Sequence, residues 1–463
     1  MRSIILGLVA LAVPAWALAA PEPPPSDAQA AEPGTDDAPA EPGTAPAGNP
    51  GTAERARDED AAQDAPQPGR PVLDRVLPCG VRVLVARDDS LPVASVVLAV
   101  ERGSEDDPAA LPGLHHALAY QLLMGNRNTA PGAIAAMVQD AGGMAFLATG
   151  PAQIRFESII PVTLLGELIH AEARRFRSPT VTESLWKEAL VSAKRDVPLR
   201  RATPWEAAAA AHGAEGLGHR PRVVEPALSE LDASAVATEL ARVARYEHTT
   251  LVVVAPLPLE DTLAQVEDAF SDLPPRERAV PDRPIERTQA SVERAKATGN
   301  TFVWAIPGDP AARLWADAWC EVLSRQRRGK DEPKPNRVRC AFDDDPRRPT
   351  LTVRVRTPDD PRALLEARLE RLEAKATRTL RTPRTRLRQA LSADIGTPLG
   401  LARRLAATPA TRSQPNTVER MTGADALDGP PIPVGTLLDS ATMVHVVAPS
   451  EAVPAPTQPE EGA

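Results

Sequence analysis

Gly113-Leu114-His115-His116-Ala117-Leu118-Ala119-Tyr120 is an apolar helix opening with two adjacent histidines set into it. A helix turns about 100° per residue, so His115 and His116 point to different sides and are poorly placed to chelate one ion together. His116 and Tyr120, four residues apart, share a face. Position 119, on the same turn, is an alanine that neither takes nor gives a proton.

The neighbouring segments give the octet a frame. Residues 72–77 and 81–85 flank Pro78-Cys79-Gly80 and read as a hairpin, and 93–100 is a third, more continuously apolar strand. Helices are expected at 111–124 and 130–141. Strands follow at 145–147 and 154–159, with Gly142-Gly143 as the breaker between helix and sheet. Periodic helices at 164–176, 182–196 and 233–246 lead to a strand at 251–254 and a helix at 260–270.

A weaker second round has the same order. It comprises strand 301–306, helix 311–323, strands 337–342 and 350–355, helices 362–380, 385–392 and 399–405, and strand 443–447. Strands and helices interleave without a strict βαβ rhythm. The expected fold is therefore α+β, with two similar domains, each a mixed and mostly antiparallel sheet packed with helices.

At 463 residues the chain is long enough for such a pair of domains. A net charge of −9 gives no basic footprint for nucleic acid. Residues 1–19 have the charged start, short apolar core and Ala17-Leu18-Ala19 ending of a cleaved signal peptide, which predicts export to a periplasm or beyond. No stretch is long and apolar enough for a membrane span. Residues 20–70 and 451–463 are rich in Pro and Ala and poor in large apolar side chains, a composition expected to stay disordered. The ordered domains are expected at 71–275 and 299–450, with 276–298 as linker. Cys79, Cys320 and Cys340 form neither a disulfide framework nor a zinc knot; Cys320 and Cys340 either pair or serve as buried hydrophobes.

Several of these segments resemble the insulinase and mitochondrial-processing-peptidase family. Leu77-Pro78-Cys79-Gly80-Val81-Arg82-Val83 is similar to that family's opening hairpin, and Gly103-Ser104 with Pro112-Gly113-Leu114 to its approach to the motif helix. Gly142-Gly143 through Thr149 is similar to its G-G-x-x-N-A-x-T segment, with Phe146 in place of Asn. Tyr246 through Val254 and Phe270-Ser271-Asp272-Leu273-Pro274 resemble later landmarks. The family's motif helix carries H-x-x-E-H, in which two His bind zinc and the Glu activates a metal-bound water.

Laid on this chain, the first His is His116, the Glu is Ala119 and the second His is Tyr120. The family's third ligand, a Glu on a later helix, falls on Lys194, or with a small shift on Arg195 or Asp196. These four positions, His116, Ala119, Tyr120 and Lys194, are vestigial, so no catalytic residue, metal ligand or cofactor is expected. Zinc belongs to the active members.

The resemblance implies an exported, non-catalytic homologue that partners an active insulinase-family zinc peptidase as a heterodimer. A standalone peptide-binding or scaffolding protein of the cell envelope is the alternative. An active zinc endopeptidase with a rebuilt site is a third reading. It requires a base that Glu157 and Glu167 do not supply from sequence alone. Non-catalytic partners in that family often hold substrate through an Arg and a Tyr of the second domain; Leu323-Ser324-Arg325-Gln326 resembles part of that segment, but no Tyr follows Tyr246.

Overall fold

The computed structural model describes residues 69–447, apart from 109, 151, 178, 180, 197–227, 279–288, 294–299, 307–308, 326–336, 344–348, 358–359, 409–415 and 440–441. The proposed signal peptide, residues 20–68 of the segment after it, and the tail lie outside the described residues.

The first sheet has the order β1-β2-β6-β3-β5-β4. β1 (Val72–Val76) and β2 (Arg82–Arg87) form the expected antiparallel hairpin. Its turn needs Gly80, which has φ 88°, and a Cβ there would lie 3.0 Å from the backbone of Glu247. β6 (Thr249–Ala255) runs parallel to β2 and antiparallel to β3 (Val93–Val100). β5 (Ile154–Pro161) and β4 (Met144–Thr149) complete the sheet.

Alternation along the strands decides what each face meets. Val83, Val85, Val96, Leu98, Leu251 and Val253 face a core with the first-half helices. These are α1 (Leu114–Gln121), α2 (Ala133–Asp140), α3 (Leu165–Arg174), α4 (Glu183–Asp196), α5 (Ala233–Val243) and α6 (Leu259–Phe270). Leu84, Ala86, Val97, Ala99, Val252 and Val254 belong instead to the core of the second half. A sheet covered on both faces needs strands apolar at every position, which explains the continuous runs of β3 and β6.

The second sheet has the order β7-β11-β8-β10-β9, formed by β7 (Gln289–Glu293), β8 (Asn300–Ala305), β9 (Arg337–Asp343), β10 (Thr350–Arg356) and β11 (Thr442–Val447). β7 pairs parallel with β11 as β2 pairs with β6, and β8 lies between β11 and β10 as β3 lies between β6 and β5. The duplication, faint in sequence, is plain in topology. β7 falls inside the segment read as linker, because Gln-Ala-Ser-Val-Glu has too little apolar content to signal a strand. α7 (Pro310–Arg325) buries Trp315 and Trp319, and the Cys320–Cys340 disulfide, with its Cα atoms 5.2 Å apart, ties it to β9. The helix expected over 362–380 breaks after Glu373 into α8 (Pro361–Glu373) and α9 (Ala376–Thr379), followed by α10 (Arg381–Ile395).

α11 (Pro398–Ala406) carries the contact between the halves, lying across β3 and β6 of the first sheet. Gly400 is needed there, since a Cβ would sit 1.9 Å from the Asp394 carbonyl. A buried helix end must find donors for its last carbonyls. Gln153 Nε2 donates to Ala406 at 3.0 Å, Arg313 Nη1 to Ala407 at 3.3 Å and Arg82 Nη1 to Thr408 at 2.8 Å. Arg82 also grips Asp74 through two bonds of 3.0 and 2.8 Å. Arg403 of α11 pairs with the buried Glu157 of β5. α12 (Val418–Thr422) and α13 (Val434–Asp439) close the second core.

Arg82→Met is expected to remove the guanidinium partner of the Asp74 carboxylate and the donor to the Thr408 carbonyl, and to destabilise the fold by about 3–5 kcal/mol. Arg75→Met, on the exposed side of the same hairpin, should change stability by less than about 0.5 kcal/mol. Urea unfolding midpoints of the two variants check the contrast.

Candidate functional site

α1 starts at Gly113, whose φ of 90° turns the chain into the helix. Asp107 organises that start. Its Oδ2 accepts from the Gly113 N–H at 2.6 Å and its Oδ1 from the His115 N–H at 2.8 Å. Oδ1 also lies 2.7 Å from His115 Nδ1, so one buried carboxylate caps the helix and orients a histidine. His115 Nε2 points toward Glu239 of α5 at 3.6 Å, beyond hydrogen-bond distance. The two histidines therefore serve separate neighbourhoods, as their 100° offset requires.

The His116 ring fits into a pocket of polar backbone and side-chain atoms. Nδ1 is 2.8 Å from Thr149 Oγ1, at the end of β4. Nε2 is 3.0 Å from the Ala193 carbonyl on α4. A carbonyl only accepts, so Nε2 carries hydrogen and Nδ1 faces the threonine hydroxyl. Both ring nitrogens are engaged, and neither offers a lone pair to a metal. Tyr120 packs edge-on against His116 with ring centroids 5.4 Å apart.

Ala119 is fully buried and belongs to the first core. On α4, Ala193 and Asp196 meet His116, with Asp196 Oδ2 at 3.7 Å from Nε2. Lys194, where the sequence alignment puts the third-ligand position, is turned about 100° from Ala193 around the helix. The small side chain of Ala193 lets the α4 backbone come up to the ring, and that close approach makes Asp196 the neighbouring carboxylate. Among the described residues no three His, Cys, Asp or Glu side chains are grouped to hold a metal ion.

The other candidates have structural employment. Glu157 faces α11, on the opposite side of the first sheet from α1, and is held by Arg155 at 2.9 Å and Arg403 at 2.7 Å. Glu167 is exposed on α3. His170 lies 3.5 Å from Asp268 on an exposed face. Tyr246 donates to the Ala173 carbonyl and accepts from the Phe176 N–H, and burial pushes its phenol well above the ordinary range. It remains a donor at working pH and fastens the end of α3. Burial likewise raises the Cys79 thiol, which favours its neutral form. Ser324 exchanges hydrogen bonds with Cys340 N and O at 2.9 and 3.0 Å, pinning α7 to β9.

No protein-family model and no curated protein matches this sequence. Solved structures do match its coordinates. A protease from Helicobacter pylori is 12% identical, with TM-score 0.58, over 82% of this chain and 100% of that one. The first half of the periplasmic protease PqqL from Escherichia coli is 12% identical, with TM-score 0.57, over 83% of this chain and 93% of that one. Pitrilysin is 15% identical, with TM-score 0.56, over 82% of this chain. The chain has the insulinase-family fold. It spans 45% of the pitrilysin chain, so it corresponds to one half of that longer molecule.

Restoring the motif's glutamate is expected to fail on structural grounds. Ala119→Glu places a carboxylate at a fully buried apolar position and should destabilise the fold by several kcal/mol, on the order of 3. Ala119→Ser should be far milder, and thermal unfolding of both variants tests the difference.

Proposed function

We propose that this chain is a non-catalytic member of the insulinase fold, exported from the cytoplasm, that completes the peptide chamber of an active zinc peptidase. The observation that carries the reading is the state of His116. In the active arrangement this residue gives a lone pair to zinc beside a general base. Here its two nitrogens are bonded to Thr149 and Ala193, Tyr120 replaces the second His, and Ala119 replaces the base. The residues present do not fit a catalytic zinc ion, and no hydrolytic step is assigned to this chain.

What the chain retains is the framework. It covers 93% of the first half of PqqL and 45% of the longer pitrilysin chain. The edge strand β4 starts at the exposed Met144 and ends at Thr149 against His116. Its free edge gives an extended peptide a ladder to pair with. The same edge supports the second reading, a standalone peptide-binding protein of the envelope.

Full-length protein is expected to purify without stoichiometric zinc and to leave an unstructured peptide uncut, while raising the activity of an insulinase-fold zinc peptidase from the same source. Binding of the peptide by the chain alone, with no effect on such a peptidase, favours the standalone reading. Stoichiometric zinc and peptide cleavage by this chain alone, both lost in His116→Ala, would falsify the non-catalytic assignment.

A further inference from the structure

Far along the chain from α1, the second half holds a cavity of about 280 Å³ where α7, α9 and α10 meet Pro431. Its walls differ in character. Trp315, Leu380 and Pro431 form an apolar side, and Arg381, Arg384 and Arg388 bring three guanidinium groups to the other. Among the described residues, no acidic one lines it.

The three arginines are not equivalent. Arg388 Nη2 donates to the Leu427 carbonyl at 2.8 Å and to Asp428 Oδ1 at 2.5 Å, so its charge has a counter-ion. The Arg381 and Arg384 guanidinium groups make no hydrogen bond or ion pair among the described residues, the bonds of these residues to Leu380 and Thr385 being made by their backbone atoms. Both stand in the first turn of α10, which contains no acidic residue, and Leu380 before it provides no side-chain cap. A helix start carries partial positive charge and favours anions. Two unpaired cations there, one half-buried, oppose the local field unless an anion joins them.

We infer that this cavity is a binding site for a small phosphomonoester, with Arg381 and Arg384 holding the phosphate and Trp315, Leu380 and Pro431 receiving the organic group. A phosphate dianion balances the two unpaired charges. Guanidinium forks match phosphate oxygens in pairs, which a point-charge ammonium does not. The volume is at the small end of the range for ligand pockets, which selects a compact ester over a polymer. The site stands apart from His116 and does not depend on the loss of catalysis.

Calorimetric titration of the full chain with phenyl phosphate, inorganic phosphate and benzoate tests the assignment. Phenyl phosphate is expected to bind saturably at one site, inorganic phosphate several-fold more weakly, and benzoate at least tenfold more weakly. R381Q/R384Q should weaken phenyl phosphate at least tenfold, and R381K/R384K should recover only part of that loss. R378Q, one turn earlier and outside the cavity, should bind as the parent does. Urea midpoints equal to the parent's show that the double variants are folded; exposed or half-buried arginines without partners leave the core intact. No saturable binding of phenyl phosphate, equal binding of benzoate, or unchanged binding in R381Q/R384Q overturns the proposal.

Discussion

The end of α11 is where the two halves of this protein become one molecule. A helix lying on the inner face of another domain's sheet brings its C-terminal carbonyls into a place with little water. Three side chains from separate elements, Gln153, Arg313 and Arg82, supply the missing donors. Two of them, Gln153 and Arg82, belong to the first half. Arg82 is fixed in turn by Asp74, and Arg403 carries Glu157 across the same boundary. Arg82 and Glu157, both buried at this junction, each have a partner in the opposite half. That arrangement holds the first sheet between two cores and makes β3 and β6 apolar on both faces.

The His116 region follows from the same architecture. α1 packs against the first sheet and α4 packs against α1, so the ring is placed between the end of β4 and the end of α4. In an active insulinase-fold peptidase that gap needs room for an ion and a water. Here the α4 backbone approaches at Ala193 and a carbonyl occupies the position facing Nε2. Ala119 lies in the first core and the Tyr120 ring packs edge-on against His116, so both side chains belong to this close packing.

The strand and helix pattern was legible because it is local. Apolar residues at a period of two or near 3.6 report which side of an element is covered, whatever covers it. The hairpin at Gly80, the paired strands after Gly142-Gly143, and helices α7, α10 and α11 of the second half were placed by this signal. β7 was missed because an edge strand need not be apolar. The break after Glu373 was missed because the Arg- and Glu-rich pattern continues through it.

Sequence alone shows an alanine at 119 and a tyrosine at 120, where the motif of the family it resembles has a base and a metal-binding imidazole. It also determined that His115 and His116 diverge, since helix geometry fixes their angle. Tertiary structure decided which residues actually meet. It placed Asp196 beside His116, paired Cys320 with Cys340, and turned Glu157 toward Arg403 on the far side of the sheet. It also gathered Arg381, Arg384 and Trp315 around one cavity. Each of these contacts depends on how closely two elements approach and at what rotation. The long-range packing of the whole chain sets those quantities, and no local pattern of residues carries them.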